Sequence, residues 1–133
     1  MKVLRAGPQS APNTLILLPG RGATAENILP LYSVLKLPPE WRALAPQAPG
    51  NSWYPCSFLA PVEQNQPSLD QALQAVDGIV ASLATDKVAI LGFSQGACLA
   101  LEYAARHPKR YAGVMALTGG LITQTGNELL ASG

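Results

Sequence analysis

The sequence predicts an α/β fold in which helices cover both faces of a mainly parallel sheet. Short apolar runs typical of buried strands recur along the chain, and segments with helical spacing of apolar residues separate them. This alternation is typical of parallel sheets, whose neighbouring strands are joined by helical crossovers. The length of 133 residues is typical of one domain, so we expect residues 1–133 to form a single domain. We find no internal repeat.

The first part of the chain supplies two strands and one helix. Four apolar residues at 15–18 precede a Pro-Gly pair and predict a buried strand. Thr24 is a residue type that caps helices, so a helix is expected from there to about Leu35, with irregular first turns because of Pro30. A weaker apolar run at residues 43–46 predicts the second strand.

A long loop and a second helix follow. Residues 46–67 are rich in Pro, Gly, Ser, Asn and Gln, which predicts an ordered loop over the sheet. Loops of this length usually carry function or are disordered. Ser68 and Gln71 fit a capping box, and apolar residues at helical spacing continue the helix to about Leu83.

The last predicted elements are a strand, a helix and a further strand. Apolar runs at residues 88–91 and 113–117 predict the strands, and residues 95–106 between them read as one continuous helix. Residues 121–133 contain no strong element.

The most informative motif lies where the strand at residues 88–91 meets the following helix. Residues 92–96 read Gly-Phe-Ser-Gln-Gly, which is the pattern of a nucleophile elbow centred on Ser94. A serine at such a strand-to-helix turn projects its hydroxyl from the sheet, and the first amides of the helix face a developing negative charge. The alternative is a serine that merely caps a helix. The strand before it and the helix after it favour the nucleophile.

His107 is the one histidine of the chain, and its spacing from Ser94 argues against a role as catalytic base. Thirteen helical residues correspond to about 20 Å. A general base must come within about 3 Å of the proton it takes. Next to Arg106, His107 is expected to be a polar residue at the end of a helix, where its charge complements the helix dipole.

A second glycine-rich turn at residues 18–22 reads Leu-Pro-Gly-Arg-Gly and lies between a strand and a helix. Such a turn can aim a backbone amide at the carbonyl oxygen attacked by Ser94. The amides of Arg21 and Gln95 would then form a two-donor oxyanion hole. The alternative is a purely structural turn, whereas phosphate-loop and dinucleotide-binding patterns do not match.

Composition excludes several classes of function. A formal net charge of +1 favours neither nucleic acid nor an anionic membrane as a partner. No apolar run is long enough to cross a bilayer and no signal peptide is visible, so a cytoplasmic location is predicted. Cys56 and Cys98 allow one disulfide at most and are expected to be thiols, with Cys98 in the core.

Five segments, in order from about residue 14 onwards, resemble the phospholipase/carboxylesterase family of α/β-hydrolases, to which acyl-protein thioesterases belong. They are residues 17–23, 45–50, 52–55, 92–97 and 116–120. The resemblance implies a serine hydrolase without metal or cofactor that cleaves a small carboxylic ester or thioester through an acyl-Ser94 intermediate. It also implies that the amides of Arg21 and Gln95 hold the oxyanion and that Trp53 and Tyr54 line the substrate site. Alternatively, Trp53 anchors its loop to the core.

The sequence departs from this family in two respects. The family usually has a histidine at the position of Pro19, and this change is expected to shift the oxyanion loop without removing its amide. The family's triad acid and histidine lie beyond the strand at residues 113–117, each after a further strand. The chain therefore resembles the N-terminal two-thirds of a hydrolase, with an incomplete fold that lacks the last strands.

Two functional hypotheses remain open. In the first, the protein is a carboxylesterase or thioesterase in which Ser94 attacks the acyl carbon, a missing His acts as base and acid, and a missing Asp orients that His. The missing strands are then expected from a second polypeptide, a cleaved, complementing C-terminal fragment, or a symmetric partner in a homo-oligomer that covers the exposed sheet edge. In the second, the chain is a non-catalytic, hydrolase-like binding protein. The two hypotheses differ mainly in rate, because loss of the base costs a serine hydrolase several orders of magnitude.

Overall fold

A computed structural model describes residues 2–53, 62–83, 87–107 and 111–117. Within these ranges, five strands form one sheet in the order β1-β3-β2-β4-β5. The strands are β1 (Val3–Ala6), β2 (Asn13–Leu18), β3 (Trp41–Pro46), β4 (Lys87–Phe93) and β5 (Gly113–Leu117). The α-helices are α1 (Ala25–Ile28), α2 (Leu31–Leu35), α3 (Ser68–Ala81) and α4 (Gln95–Arg106). Short 3₁₀ helices lie at Pro49–Asn51 and Val62–Asn65.

The sheet is mainly parallel, which confirms the predicted fold class. β2 pairs in parallel with both β3 and β4, and β4 pairs in parallel with β5. β1 runs antiparallel to β3 at the sheet edge. The sequence analysis missed β1 because its four residues, of which Arg5 is exposed and the other three are half-buried, form no apolar run. In the part of the chain that the structure describes, no strand follows β5.

The core consists of two layers, one on each face of the sheet. Successive residues of a strand point to opposite faces. Ile16 and Leu18 of β2 therefore pack with α3 and α4, whereas Leu15 and Leu17 pack with α1. The central strands are buried on both faces, as expected for a parallel sheet between helices. No helix in the described ranges is long and apolar enough to span a membrane.

The helix predicted from Thr24 to Leu35 is divided in two. Thr24 caps α1 as expected, because its hydroxyl accepts a hydrogen bond from the Asn27 amide at 3.1 Å and its own amide donates to Asn27 Oδ1 at 3.0 Å. Pro30 has no amide hydrogen and cannot continue the hydrogen bonding of α1, so a second helix begins after it.

The capping box predicted at Ser68 and Gln71 is wrong. Ser68 is already the first helical residue of α3, so its hydroxyl is not at the capping position. The side chain of Gln66 takes that role, since its Oε1 accepts from the Asp70 amide and its Nε2 donates to Asp70 Oδ1, each at 3.0 Å. Cys98, expected in the core, is a half-buried thiol of α4, and Cys56 lies outside the described residues.

The C-terminal end of α4 is tied to α3 by a polar cluster. His107 follows the last helical residue, and its ring stacks on that of Tyr103 with centroids 4.4 Å apart. The Tyr103 hydroxyl donates to Asp77 Oδ1 of α3 at 2.8 Å. Burial and then this hydrogen bond raise the pKa of Tyr103 above its ordinary value of 10.0. His107 therefore lies where the sequence predicted, at a helix end.

The Tyr103→Phe substitution tests this link between α3 and α4. We expect the free energy of unfolding by urea at neutral pH to fall by about 1 kcal/mol, because one buried hydrogen bond is lost. Above about pH 10 the unfolded wild-type chain releases the phenolic proton that the folded chain retains, so wild-type stability declines and the variant should decline less. If the wild-type chain and Tyr103→Phe have the same unfolding curves at both pH values, this account is contradicted.

Candidate active site

Ser94 lies at a sharp turn between the end of β4 and the start of α4. Its φ of 57° and ψ of −114° are outside the helical region, and a positive φ is costly for a residue other than glycine. The Ser94 amide donates to the carbonyl of Leu117 at 2.7 Å, and its carbonyl accepts from the amide of Ala97 at 2.9 Å. Its side chain is partly exposed. The turn has the strand-to-helix geometry that the sequence predicted.

Two glycines permit the close backbone packing of this turn. A Cβ atom on Gly96 would overlap the Leu18 carbonyl and lie 2.7 Å from the carbonyl oxygen of Pro19. A Cβ atom on Gly92 would overlap the Gly96 carbonyl and lie 2.6 Å from the Ala97 nitrogen. The obstructing atoms all belong to the backbone, so any larger residue would push α4 away from β2 or β4.

The loop after β2 packs directly against Ser94. A Cβ atom on Gly20 would lie 3.1 Å from Ser94 Cβ and 2.9 Å from the carbonyl oxygen of Phe93. Gly22, with a φ of 81°, donates its amide to the carbonyl of Asn51 at 2.7 Å, which holds the loop in place. Arg21 directly follows Gly20, which packs against Ser94. The Arg21 guanidinium donates to Ser52 Oγ at 3.2 Å.

Gln95 follows Ser94 and is the first residue of α4, so its amide lies at the positive end of the helix dipole. Gln95 is thus the neighbour of Ser94 in the chain, and Arg21 is the neighbour of Gly20, which packs against Ser94. Their role as oxyanion donors stays a prediction.

Trp53 is buried, with 2% of its surface exposed, and belongs to the core layer under α3 and α4. Its indole Nε1 donates to the carbonyl of Pro19 at 2.9 Å. These contacts agree with the alternative in which Trp53 anchors its loop, and a role in lining the substrate site stays a prediction. Tyr54, the other predicted substrate-binding residue, lies outside the described residues.

The side chain of Gln95 is a feature that sequence reasoning missed. It is almost fully buried, its Oε1 accepts from the Trp53 amide at 2.7 Å, and its Nε2 donates to Ser52 Oγ at 3.3 Å. Gln95 thus connects the elbow to a loop 42 residues earlier. The elbow pattern leaves this position unspecified, so no local signal could have identified it.

An apolar groove with a volume of about 420 Å³ adjoins the elbow. It runs between the α1–α2 segment and the end of the sheet. Its walls include Gly20, Ile28, Leu31, Val34, Phe93 and Leu117. Because these residues come from several elements, no motif in the sequence could have predicted the groove.

Within the described ranges, no histidine lies beside Ser94. His107 lies at the far end of α4, whose 12 residues span about 18 Å. The Glu102 carboxylate forms a salt bridge with Arg106, with 2.6 Å between Glu102 Oε2 and Arg106 Nε. No group of His, Cys, Asp and Glu side chains in the described ranges could hold a metal ion.

Comparison with known proteins identifies the family. The model of the phospholipase/carboxylesterase family matches residues 2–129. The chain belongs to this family. Among curated proteins, none matches the chain.

Solved structures of the same fold are longer than this chain. A phospholipase/carboxylesterase from Dyadobacter fermentans shares 46% sequence identity, with a TM-score of 0.81 over 87% of this chain and 58% of that one. Esterase PE8 shares 25% identity, with a TM-score of 0.60 over 86% of this chain and 61% of that one. Zea mays acyl-protein thioesterase 2 is similar in fold, at 24% identity and a TM-score of 0.59, over 77% of this chain and 50% of that one. The chain thus spans 50% to 61% of the length of these three structures.

The Gly96→Ala substitution tests the packing of this family member's elbow. We expect it to destabilise the fold by about 1–3 kcal/mol, because the new methyl group overlaps backbone atoms that cannot yield. Gly78→Ala is the matched control, since a Cβ atom at that exposed position in α3 meets nothing within 4 Å. The control should gain up to about 1 kcal/mol from helix propensity. Similar urea midpoints for the two variants would show that the elbow is not tightly packed.

The Gln95→Leu substitution tests the connection between the elbow and the Trp53 loop. The buried Trp53 amide would lose its acceptor, which costs about 1–3 kcal/mol. In a Trp41→Phe background we expect the emission of Trp53 to shift to longer wavelength as its loop loosens. Gln74→Leu, at an exposed position of α3, is the control and should leave the emission unchanged. An unshifted emission spectrum for Gln95→Leu would show that the Gln95 side chain does not hold the Trp53 loop.

Proposed function

We propose that this chain carries the nucleophile of a serine hydrolase that cleaves carboxylic esters or thioesters through an acyl-Ser94 intermediate. The observation that supports this most is the position of Ser94. It lies on a strained turn, with the Gly20 loop against one side and the start of α4 on the other. Family membership and the 46% identity to a phospholipase/carboxylesterase support the same reaction class.

In the proposed reaction, Ser94 Oγ forms a bond to the acyl carbon while the carbonyl oxygen becomes an oxyanion. The amides of Arg21 and Gln95 would donate to that oxyanion, a contribution worth about 3–4 kcal/mol per donor in serine hydrolases. The bond to the alcohol or thiol then breaks, and the leaving group departs with the proton that Ser94 released. Water subsequently attacks the acyl-serine and regenerates the hydroxyl.

This reaction needs a base to carry the proton from Ser94 to the leaving group. The distance of about 18 Å along α4 argues against His107 in this role. We therefore propose that the base comes from polypeptide outside the described residues, as the family resemblance implies. A small ester or thioester substrate and a cytoplasmic location stay predictions from the sequence.

The second candidate is a non-catalytic, hydrolase-like binding protein. One observation favours it, namely that the chain's one histidine is packed against Tyr103 at the end of α4 remote from Ser94. Loss of a triad base lowers the rate by about 10⁴-fold or more, so the isolated chain would hydrolyse esters near the background rate under either hypothesis. Measuring the acylation of Ser94 therefore distinguishes the two candidate functions better than measuring the rate of ester turnover does.

We expect Ser94 to become acetylated when the purified chain is incubated with p-nitrophenyl acetate at mildly alkaline pH. Hydroxide can then take the proton of Ser94, while deacylation stays slow without a positioned base. Peptide mass spectrometry should locate one acetyl group on Ser94. Ser33→Ala, which removes an exposed hydroxyl of α2, should leave that acetylation unchanged, and Ser94→Ala should abolish it. Equal acetylation of Ser94 and Ser33 in the wild-type chain would reject the proposal that Ser94 is the nucleophile.

A further inference from the structure

The side chains of the two residues whose amides are the predicted oxyanion donors meet at one hydroxyl group. The Arg21 guanidinium donates to Ser52 Oγ at 3.2 Å, and Gln95 Nε2 donates to the same oxygen at 3.3 Å. A serine hydroxyl has two lone pairs, so it can accept both hydrogen bonds at once. Ser52 therefore links the loop after β2 to the first residue of α4.

The neighbours of Ser52 join the same two segments through their backbones. On one side, the Asn51 carbonyl accepts from the Gly22 amide at 2.7 Å. On the other side, the Trp53 amide donates to Gln95 Oε1 at 2.7 Å. The backbone of residues 51–53 is thus bonded both to the loop that contains Arg21 and to the elbow. The Ser52 hydroxyl lies between these two attachments.

The distance between the two predicted donors depends on contacts of this kind. Arg21 lies in the loop after β2, whereas Gln95 begins α4, so the two amides belong to different elements. An oxyanion hole is effective only when its donors lie about 3 Å from one common point, the position of the developing charge. A contact that joins the two elements beside Ser94 therefore affects how well both amides can bind the same oxygen.

We propose that Ser52 is a positioning residue of the oxyanion hole. Its hydroxyl holds the Arg21 and Gln95 side chains at one point and so sets the separation of their backbone amides. Ser52 acts through these two residues and takes no part in bond making. This role rests on the proposed function, because the separation of the amides matters for the reaction only if Ser94 attacks a carbonyl group.

The first measurement is the rate at which p-nitrophenyl acetate acetylates Ser94 in the 133-residue chain, followed by peptide mass spectrometry. Ser52→Ala should slow this acetylation about tenfold, because a small displacement of the donors weakens their hold on the oxyanion. Ser52→Thr keeps a hydroxyl at the same position and should restore most of the rate. Ser82→Ala is the matched control, since it removes another hydrogen-bonded hydroxyl, which donates to the Ile79 carbonyl at the end of α3. It should leave the rate unchanged.

Arg21→Leu tests the same link from its other side. The substitution removes the exposed guanidinium but keeps the backbone amide. It should slow the acetylation of Ser94 in the wild-type chain and have little further effect in the Ser52→Ala chain, because the link is already broken there. Independent effects would multiply instead. If Ser52→Ala does not fold, Arg21→Leu alone should still slow the acetylation.

The carbonyl stretching frequency of acetyl-Ser94 is a second readout, measured by infrared spectroscopy with a carbon-13 label in the acetyl group. Hydrogen bonds to a carbonyl oxygen lower its stretching frequency, so Ser52→Ala should raise it and Ser52→Thr should return it towards the wild-type value. If Ser52 only anchored its loop, Ser52→Ala would lower the urea midpoint without changing this frequency. Equal urea midpoints for the compared variants exclude unfolding as the cause.

The role of Ser52 and the proposed function fail in distinguishable ways. If Ser94 is acetylated equally fast in the wild-type and Ser52→Ala chains, with the same carbonyl frequency, Ser52 is not a positioning residue and the nucleophile stands. The role is also wrong if Ser52→Thr is as slow as Ser52→Ala, or if the effects of Arg21→Leu and Ser52→Ala multiply. If Ser94 of the wild-type chain is never acetylated, the proposed function is wrong and the role of Ser52 falls with it.

Discussion

The close backbone contact between Gly96 and the end of β2 is the constraint on which the candidate site depends. At this contact the carbonyls of Leu18 and Pro19 leave no room for a Cβ atom on residue 96. α4 can therefore start directly beside β2, and the chain must turn at Ser94 with a positive φ. The same approach brings the Gly20 loop against Ser94. The Leu18 carbonyl belongs to β2, a central strand that is buried on both faces, so the turn packs directly against the core of the sheet.

A small polar network fixes the second loop to this turn. Gln95 accepts from the Trp53 amide, and Trp53 in turn donates its indole hydrogen to the Pro19 carbonyl. The loop after β3 is thus bonded to Gln95, the residue next to Ser94, and through Trp53 also to the loop after β2. Pro19 contributes its carbonyl to this network, and the shift of the oxyanion loop expected from a proline at this position stays a prediction.

The sequence predicted the elements whose signals are local. Short apolar runs predicted β2, β4 and β5, and the elbow pattern predicted the turn at Ser94. β1 has no apolar run, and Ser68 failed as a cap because it is already the first helical residue of α3. The role of Trp53 could not be decided because its partners Pro19 and Gln95 lie 34 and 42 residues away. The apolar groove beside Ser94 could not be predicted, since the residues that line it come from several elements.

If the elbow orients Ser94 for acyl transfer, the amides beside it should bind the oxygen of a transition-state mimic. A crystal structure of the chain after reaction with an alkyl fluorophosphonate would test this directly. We predict a phosphonate bonded to Ser94 Oγ, with its non-ester oxygen within about 3 Å of the amide nitrogens of both Arg21 and Gln95. A phosphonate oxygen that points to solvent, or a reagent attached elsewhere, would contradict the account.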